Sequence, residues 1–398
     1  MGIITDKTKI KEVLERGVET AIERVSLEKK MASGKKLRIK LGIDPTGPTL
    51  HIGRAVQLWK LRDFQELGHQ IVLIIGDFTA LIGDASDKKA MRPALSAQQI
   101  KKNMADYKKQ AGKILDLKKT EVRRNSEWLS KIKMRDLISL AMKFTAQQMI
   151  QRRNFKERWD ENKPIGLHEL LYPIMQGYDS VAIKADVEIG GSDQLFNLKT
   201  GREIQKIFGQ EPQDILTTKM LSGLDGRKMS TSWNNTINLT DPPEEIFGKI
   251  MSMRDDLIGD YFELAARLPL AEVKLIKKEL AEKRHNPRDI KARLAKEIVT
   301  IYYNKSEAQK AEEEFNRVFK EKKLPSNIKK VAVNEPKLTI LDLLFRTGLA
   351  VSKSEAKRLV QEGAVKIDGN PIKDWKAEIK TRKGMVVQAG KRRFIRIS

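Results

Sequence analysis

The pattern of apolar and polar residues is most regular between positions 37 and 75. Residues 37–43 alternate between the two classes, which is the period-two pattern of a strand. Residues 52–67 have apolar side chains at helical spacing and end before Gly68, a helix-stop residue. Residues 71–75 are continuously apolar, as in a parallel strand covered on both faces. Strand, helix and strand in this order predict a βαβ unit, and hence an α/β fold with a parallel sheet.

Weaker patterns cover the remainder of the chain. Residues 1–35 have the periodicity of a helix, and residues 95–160 are basic and mostly helical in pattern. Residues 181–189 alternate as a further strand of the sheet would. Residues 241–323 form a charged run with helical periodicity and few strand signals, and residues 324–337 contain two prolines and predict a linker.

These patterns predict three folded regions. The chain has 398 residues, of which 40% are hydrophobic, so it can bury more than one core. We expect a Rossmann-like parallel-sheet domain over residues 1–232 and a helical domain over residues 233–323. The linker then leads into a compact basic module over residues 338–398.

The net charge points to a polyanionic partner. The chain has 77 lysines and arginines against 53 acidic residues, a formal charge of +24. Such a surplus favours binding to nucleic acid. An anionic membrane surface is the rival partner, but no apolar run approaches the ~20 residues of a spanning helix and no basic amphipathic helix has an aromatic face. We therefore expect nucleic acid and no membrane.

Cysteine and histidine usage limits the metal chemistry. The sequence contains no cysteine, which excludes disulfides and thiolate metal sites, and its four histidines do not form a ligand cluster. We therefore predict no protein-bound metal. The amino terminus is charged and lacks the apolar core of a signal peptide, so we expect a cytoplasmic protein.

A first candidate site lies at the junction of the first strand and the following helix. The turn residues 44–48 break the strand, and His51-Ile52-Gly53-Arg54 then stand at the helix amino terminus. Free backbone N–H groups and the helix dipole attract anions there, and His51 and Arg54 add side-chain donors. These features suit a triphosphate, although a helix start with one histidine and one arginine also arises by chance.

A second candidate site is the segment Lys228-Met229-Ser230-Thr231-Ser232, which follows a glycine-rich basic turn. A loop of this composition suits a mobile clamp over phosphates, and a solvated surface turn would look similar. In this order along the chain, the two segments together resemble the HIGH and KMSKS motifs of the class I aminoacyl-tRNA synthetases.

Four further segments narrow the resemblance. The runs KLGIDPTGPTLHIGR, IIGDFTALIGDAS, YPIMQGYD and IGGSDQLFN are similar to those of the bacterial tyrosyl-tRNA synthetases that carry an S4-like carboxyl-terminal domain. The resemblance implies activation of tyrosine with ATP to tyrosyl-adenylate and pyrophosphate, followed by transfer of tyrosine to the 3′ end of tRNA(Tyr). It also implies a homodimer with an interface in the region 95–160.

Tyr172, Gln176 and Asp179 follow one another at i, i+4 and i+7, so on a helix they share one face. Taken alone, this column equally fits a partly buried helix with satisfied polar groups. The family resemblance implies that Asp179 accepts a hydrogen bond from the substrate phenol, with Tyr172, Gln176 and Asp84 around the α-ammonium group. The other tyrosine-binding residues that it implies are Lys40, Thr79 and, at the reacting carboxylate, Gln194.

The resemblance also implies an ATP site. Asp193 is expected at the ribose, with Gly191 allowing close approach, and Met220 and Leu221 at the adenine. The remaining ATP-binding and catalytic residues lie around the phosphates, namely Asp44, Thr46, His51, Gly53, Arg54, Lys228 and Thr231. Catalysis by positioning and charge stabilisation needs no covalent intermediate, and Mg²⁺ is expected to arrive with ATP as the substrate complex.

Three residues depart from the family pattern. Arg54 replaces the last histidine of the first motif, and Thr231 replaces the second lysine of KMSKS, leaving Lys228 as the main charge of that loop. Lys40 stands where some members of the family place a tyrosine against the substrate hydroxyl.

The carboxyl-terminal region is strongly basic. Residues 324–398 contain 17 lysines and arginines against 7 acidic residues, a net charge of +10. The string that begins TILDLLFRTGLAVSKSEAKRLV resembles an S4 RNA-binding domain, a small α+β module. A helix beginning near Ser352 would present basic side chains to RNA phosphates. The RNA-binding residues expected here are Lys353, Lys357, Arg358, Lys391, Arg392 and Arg393.

Three other functions remain open at this point. A tryptophanyl-tRNA synthetase would share the fold, but the column on residues 172–179 and the S4-like tail argue against it. An RNA-binding protein on an inactive synthetase scaffold would use the tail but not ATP. A small-molecule nucleotidyltransferase would share the first motif but has no need of a basic RNA-binding tail.

Overall fold

The computed structural model describes residues 2–84, 95–390 and 393–398. The chain forms two compact units, one up to Asn304 and the other from Lys305 to Ser398. The helical run predicted over residues 233–323 is divided between these units. No helix in the described ranges is long and apolar enough to cross a membrane.

A parallel sheet organises the first unit, which confirms the predicted fold class. Within its described residues, six strands are arranged in the order β1-β6-β5-β2-β3-β4; all neighbours are parallel except β1, which runs antiparallel to β6. The strands are β1 (Val18–Ile22), β2 (Arg38–Ile43), β3 (Gln70–Ile75), β4 (Thr120–Arg124), β5 (Val187–Gly191) and β6 (Asp214–Thr218).

Helices cover the sheet and form the remainder of this unit. Those that precede or connect the strands are α1 (Lys7–Glu15), α2 (Arg24–Ala32), α3 (Ile52–Glu66), α4 (Thr79–Ile82), α5 (Ala97–Met104), α6 (Tyr107–Ala111), α7 (Ser126–Leu129), α8 (Met134–Ala141), α9 (Ala146–Ile150), α10 (Arg153–Asp160), α11 (Leu167–Ile183) and α12 (Leu195–Ile207). Those after the sheet are α13 (Pro243–Met251), α14 (Ile258–Leu264), α15 (Leu270–Ala281) and α16 (Pro287–Tyr302). Short 3₁₀ turns span Leu117–Lys119, Ser192–Gln194, Thr231–Trp233 and Asp255–Leu257.

The sequence pattern missed three strands of this sheet, β1, β4 and β6. The expected single helix over residues 1–35 is wrong, because α1 ends before Gly17, whose φ is +59°, and β1 follows. Gly17 O then accepts a hydrogen bond from Lys219 N beside β6. In the basic region 95–160, β4 pairs with β3 among the predicted helices. The strand expected over residues 181–189 starts later, since α11 continues to Ile183 and Lys184 ends it in a left-handed conformation.

The second unit is a small α+β structure. Its strands form one sheet in the order β10-β9-β12-β13-β7 and a separate pair β11-β8. The helices are α17 (Lys305–Phe319), α18 (Ile340–Arg346) and α19 (Lys353–Gln361), and the strands are β7 (Lys329–Val331), β8 (Lys337–Thr339), β9 (Val365–Ile367), β10 (Asn370–Pro371), β11 (Glu378–Lys380), β12 (Val386–Ala389) and β13 (Arg393–Ile397). Strand β7 lies within the stretch predicted as a linker and pairs parallel to β13.

Candidate active site

A cavity of about 540 Å³ opens at the carboxyl ends of the parallel strands, which is where ligands bind in sheets of this kind. It brings together residues from β2, β5, the helices α3, α4 and α11, and the segment after β6. The sequence-predicted residues that line it are Asp44, Thr46, His51, Gly53, Arg54, Thr79, Asp84, Tyr172, Gln176, Asp179, Gly191, Asp193, Gln194, Met220, Leu221, Lys228 and Thr231.

One end of the cavity is acidic and enclosed. Tyr172, Gln176 and Asp179 lie on one face of α11, as the spacing predicts, and all three line the cavity. Asp179 is only 3% exposed. Burial raises the pKa of the Asp179 carboxyl to about 7, while the Lys40 charge and hydrogen bonds from Trp128 and Asn125 oppose that rise.

Two polar partners of Asp179 were missed by the sequence analysis. Trp128 Nε1 donates to Asp179 Oδ1 at 2.8 Å, and Asn125 Nδ2 donates to Asp179 Oδ2 at 3.3 Å. Asn125 follows β4 directly, so it stands at the carboxyl end of a parallel strand. Recognition of β4 in the sequence would have placed this asparagine at the site.

Asp44 follows β2 and is fixed by two hydroxyl donors. Thr79 Oγ1 donates to its Oδ1 at 2.7 Å, and the Tyr172 hydroxyl donates to its Oδ2 at 2.8 Å. Burial raises the pKa of Asp44 to about 6, with these two hydrogen bonds opposing the rise. Gly76 makes room for this arrangement, because a Cβ at that position would overlap Asp44 Oδ1.

Asp84 and Gln194 are joined at the cavity wall. Gln194 Nε2 donates to Asp84 Oδ2 at 2.7 Å, and Arg152 Nη2 donates to Asp84 Oδ1 at 2.6 Å. Arg152 itself is buried, and it was not predicted as a site residue. The carboxylate expected at the α-ammonium group is thus oriented by an amide and a guanidinium.

Lys40 does not line the cavity, so its prediction as a tyrosine contact is corrected. Its side chain is fully buried on β2. The ammonium group is 2.8 Å from Glu188 Oε1 and donates to Gln176 O at 2.9 Å and to Ser180 Oγ at 2.8 Å. The side chain therefore lies behind the wall formed by α11, where a neighbouring strand supplies its counter-ion.

The other end of the cavity is built on the amino terminus of α3. His51 is the residue that precedes the helix. The next residue is hydrogen-bonded to a second segment of the chain, since Ile52 N donates to Ile237 O at 2.9 Å. Burial, together with the charges of Arg54 and Lys228, lowers the pKa of His51 to about 3, so the imidazole is neutral. Its Nδ1 is buried with no hydrogen-bond partner within the described ranges.

The segment 228–231 faces this helix terminus. Lys228 Nζ is 3.1 Å from Oδ2 of Asp193, in the 3₁₀ turn that follows β5, and both residues line the cavity. Gly53 is also required here, because a Cβ would meet His51 Nδ1 at 3.0 Å and Met229 Sδ at 3.2 Å. Asn235 braces the loop by accepting from Ser230 N at 2.8 Å and donating to Asp225 Oδ1 at 2.8 Å. The two distant motifs therefore meet at one cavity.

The predicted RNA-binding residues lie in the second unit. Lys353, Lys357 and Arg358 are on α19, which begins after the N-cap residue Ser352 as the sequence predicts. Lys353 is 2.6 Å from Asp342 Oδ1, and Lys357 lies over the Trp375 ring at 4.1 Å from its centroid. Arg393 starts β13, whereas Lys391 and Arg392 lie outside the described residues.

The geometry defines a site with opposite electrostatic preferences at its ends. Buried acceptors are grouped at one end, where an ammonium group and a hydroxyl can be held. Cationic and neutral donors are grouped at the other end, around a helix amino terminus that favours anions. Such a cavity can place a carboxylate of a small amphoteric molecule beside a nucleotide phosphate.

Comparisons with known proteins give the same class. The family model described as tRNA synthetases class I (W and Y) matches residues 31–320, and the S4 domain model matches residues 339–386. A tyrosyl-tRNA synthetase from Archaeoglobus fulgidus, solved in complex with L-tyrosine, superposes with a TM-score of 0.63 at 24% identity, covering 77% of this chain and all of that one. That likeness establishes the fold, which is that of a class I tRNA synthetase.

The curated relatives identify the family within this class. The tyrosine–tRNA ligase of Moorella thermoacetica is 46% identical over 390 residues, which cover 97% of this chain and 94% of the relative. That of Thermotoga maritima is 47% identical over 387 residues, covering 97% and 96%. The chain belongs to the tyrosine–tRNA ligase family.

Proposed function

We propose that the chain activates L-tyrosine with ATP and transfers the tyrosyl group to the 3′ end of tRNA(Tyr). The observation that carries the proposal is that Asp179, His51 and Lys228 all line one cavity. A tryptophan-specific enzyme would have no phenol to pair with a buried carboxylate. The reaction belongs to translation, so we propose that it takes place in the cytoplasm.

The proposed tyrosine site uses the acidic end of the cavity. Asp179 accepts from the substrate phenol, and its orientation is already set by Trp128 and Asn125. Tyr172, Gln176 and Asp84 surround the α-ammonium group, and Gln194 lies beside the reacting carboxylate. Phenylalanine would leave the buried Asp179 without its partner; tyrosyl-tRNA synthetases are the standard example of this discrimination, with rejection of about 10⁵ and no editing.

The proposed chemistry is in-line attack by a carboxylate oxygen of tyrosine on the α-phosphorus of ATP. The new bond joins that oxygen to phosphorus, and the bond to the β-phosphate oxygen breaks, so pyrophosphate leaves with the electron pair. His51, Arg54 and Lys228 stabilise the charge on the phosphates, with Thr46 and Thr231 as hydroxyl donors. The terminal ribose hydroxyl of tRNA then attacks the tyrosyl carbonyl and AMP leaves.

The proposed nucleotide contacts are made by residues that line the cavity. Asp193 accepts from the ribose, and Gly191 allows the approach, since a Cβ there would meet Asp193 Oδ1 at 2.6 Å. Met220 and Leu221 lie against the adenine. Asp44 faces the α-phosphate, and Mg²⁺ enters with ATP as the substrate complex, held mainly by phosphate oxygens.

We further propose that the second unit binds tRNA. Its basic helix α19 presents Lys353, Lys357 and Arg358, with Arg393 nearby in sequence to the segment Lys391-Arg392. The proposed division of labour is catalysis by residues 1–232, support of the tRNA by residues 233–323, and RNA binding by residues 338–398. Truncation after Pro336 would then spare adenylate formation and weaken tRNA charging.

A homodimer is the proposed assembly. On α8 and the residue after it, Met134, Ile138 and Met142 follow at four-residue spacing and are 72%, 52% and 79% exposed. An exposed apolar stripe of this kind suits a protein interface. Replacing Ile138 by Asp is expected to give monomers in sedimentation-velocity experiments, whereas Val25→Asp, at an equally exposed apolar residue of α2, is expected to leave the dimer intact.

Isotope exchange between pyrophosphate and ATP, measured with a panel of amino acids, tests the reaction. Exchange that requires tyrosine is the expected result. Exchange with tryptophan instead would assign the chain to the other branch of the family model, and no exchange with any amino acid would indicate an inactive scaffold that binds RNA.

A further inference from the structure

A buried ion pair lies directly behind the tyrosine end of the cavity. Lys40 on β2 and Glu188 on β5 are register partners on adjacent parallel strands, and their side chains are 0% and 1% exposed. The two charged groups are 2.8 Å apart. Burying two charges is costly even when the geometry is good, so a buried ion pair is weak evidence for a purely stabilising role.

The hydrogen bonds of Glu188 show that it must be an anion. Besides Lys40, its oxygens accept from Gln176 Nε2 at 3.2 Å, from Ser180 Oγ at 3.2 Å and from Gln213 Nε2. Four donors converge on this carboxyl group, and an ionised carboxylate is an acceptor only. A protonated glutamic acid, or a glutamine at this position, would place a further donor opposite the four donors.

The Lys40 ammonium group is also fully hydrogen-bonded. Its ammonium group has three N–H donors, and three acceptors surround it: Glu188, Gln176 O and Ser180 Oγ. Ser180 accepts from Lys40 and donates to Glu188, so its hydroxyl has a single possible orientation. The charges cancel within the wall, and the hydrogen-bond directions are all fixed.

The consequence for the cavity is the orientation of the Gln176 amide. Its Nε2 is held by Glu188, so its carbonyl oxygen lies at the other end of the amide, where Asn197 Nδ2 donates to it at 2.9 Å. The same Asn197 nitrogen donates to Gln194 Oε1 at 2.9 Å. A glutamine that must accept from an ammonium group needs its oxygen, and not its NH₂ group, in that position.

We propose that Lys40 and Glu188 are positioning residues for recognition of the amino-acid substrate, because together they fix the polarity of the Gln176 amide. This inference rests on the proposed contact between Gln176 and the tyrosine α-ammonium group. Neither residue touches the substrate. Their effect passes through one hydrogen bond to the Gln176 side chain and one to its backbone.

The test compares two ways of removing the pair. Glu188→Gln keeps the shape but introduces a donor, and we expect KM for tyrosine in pyrophosphate exchange to rise about tenfold or more while KM for ATP stays within about twofold. The double variant K40M/E188L removes both charges and leaves the buried donors of Gln176, Ser180 and Gln213 without their acceptor. We expect its thermal unfolding midpoint to fall and its KM for tyrosine to remain raised by about tenfold.

A second buried ion pair, between α10 and α11, supplies the matched control. Arg158 and Glu169, each 1% exposed, are joined by two hydrogen bonds and do not contact Gln176. R158M/E169L is expected to leave KM for tyrosine within about twofold.

Three results would overturn the proposal. These are an unchanged KM for tyrosine in Glu188→Gln, an unchanged KM for tyrosine in folded K40M/E188L, and equal rises in the KM values for tyrosine and ATP. If K40M/E188L does not fold, Glu188→Gln decides. Absence of tyrosine-dependent exchange by the unmodified chain would instead refute the proposed function.

Discussion

The two ends of the cavity differ in how their central recognition groups are paired within the protein. At the acidic end, the carboxylate of Asp179 accepts from Trp128 and Asn125, and that of Asp44 accepts from Thr79 and Tyr172. At the phosphate end, the buried Nδ1 of His51 has no hydrogen-bond partner within the described ranges. The two carboxylates are thus oriented by the protein itself, whereas the His51 ring nitrogen is available to a ligand.

We therefore expect the acidic end to determine substrate specificity and the phosphate end to determine the rate of the chemical step. A prearranged set of acceptors distinguishes substrates by leaving a buried group unpaired when the wrong one binds. Donors around the phosphates act on the charge that develops during transfer, so their removal lowers the rate of the chemical step. Substitutions at each end of the cavity can show whether specificity and rate change separately.

The largest effect is expected from Asp179→Asn. Loss of the buried charge at the phenol is expected to lower kcat/KM for tyrosine in pyrophosphate exchange by about 10³-fold, the scale for breaking a buried charged hydrogen bond. Preference for tyrosine over phenylalanine should fall in the same assay. A variant that keeps this preference would show that another group reads the phenol.

His51→Ala and Lys228→Ala are expected to act on the rate of adenylate formation. Each is expected to lower the single-turnover rate by about 10²–10³-fold, the range for removing one transition-state donor, with little change in tyrosine affinity. Because burial holds the pKa of His51 near 3, its contribution should not titrate between pH 6 and pH 8. An equal loss of tyrosine affinity would mean that the two ends are not separable.

The pH dependence of tyrosine binding offers a finer test. Burial raises the pKa of Asp179 to about 7, so the carboxylate form is lost as the pH falls through that value. Tyrosine affinity is therefore expected to fall by about fivefold between pH 7 and pH 6, the change in the ionised fraction for that pKa. Isothermal titration calorimetry measures this, and Asp179→Asn should remove most of the step, leaving the part due to Asp44, whose pKa burial raises to about 6.

The smallest effect is expected in the second unit. Lys357→Ala on α19 is expected to weaken tRNA binding about threefold and to reduce the slope of log K against log salt by about 1. Lys310→Ala, which removes an equal charge from α17, serves as the control and should leave filter-binding affinity unchanged. Equal effects of both variants would indicate a non-specific charge contribution.

The sequence predicts strands β2 and β3 and part of β5, and it misses β1, β4 and β6. Strands β2 and β3 are mostly buried, so their apolar patterns are clear. The missed strands β1 and β4 are the two ends of the sheet order and are half-buried, whereas β6 is buried but has only two apolar residues. An edge strand such as Thr120–Arg124 has few apolar residues, and only its pairing with a neighbour distinguishes it from a basic helix.

The site residues also differ in whether the local sequence alone can reveal them. His51, Lys228 and the column on α11 could be recognised because local spacing and the family motifs both mark them. Asn125 depended on the unrecognised strand β4. Lys40 was misassigned because its partner, Glu188, is far away in sequence and only the strand register brings the two together.

The most direct test of the account is a crystal structure with a non-hydrolysable tyrosyl-adenylate analogue. We predict that its phenolic oxygen lies within hydrogen-bond distance of Asp179 and that its ribose lies at Asp193. Its phosphate mimic should lie on the side of His51 and Lys228. An analogue bound with its phenol away from Asp179, or with its adenosine outside the segment 228–231, would contradict it.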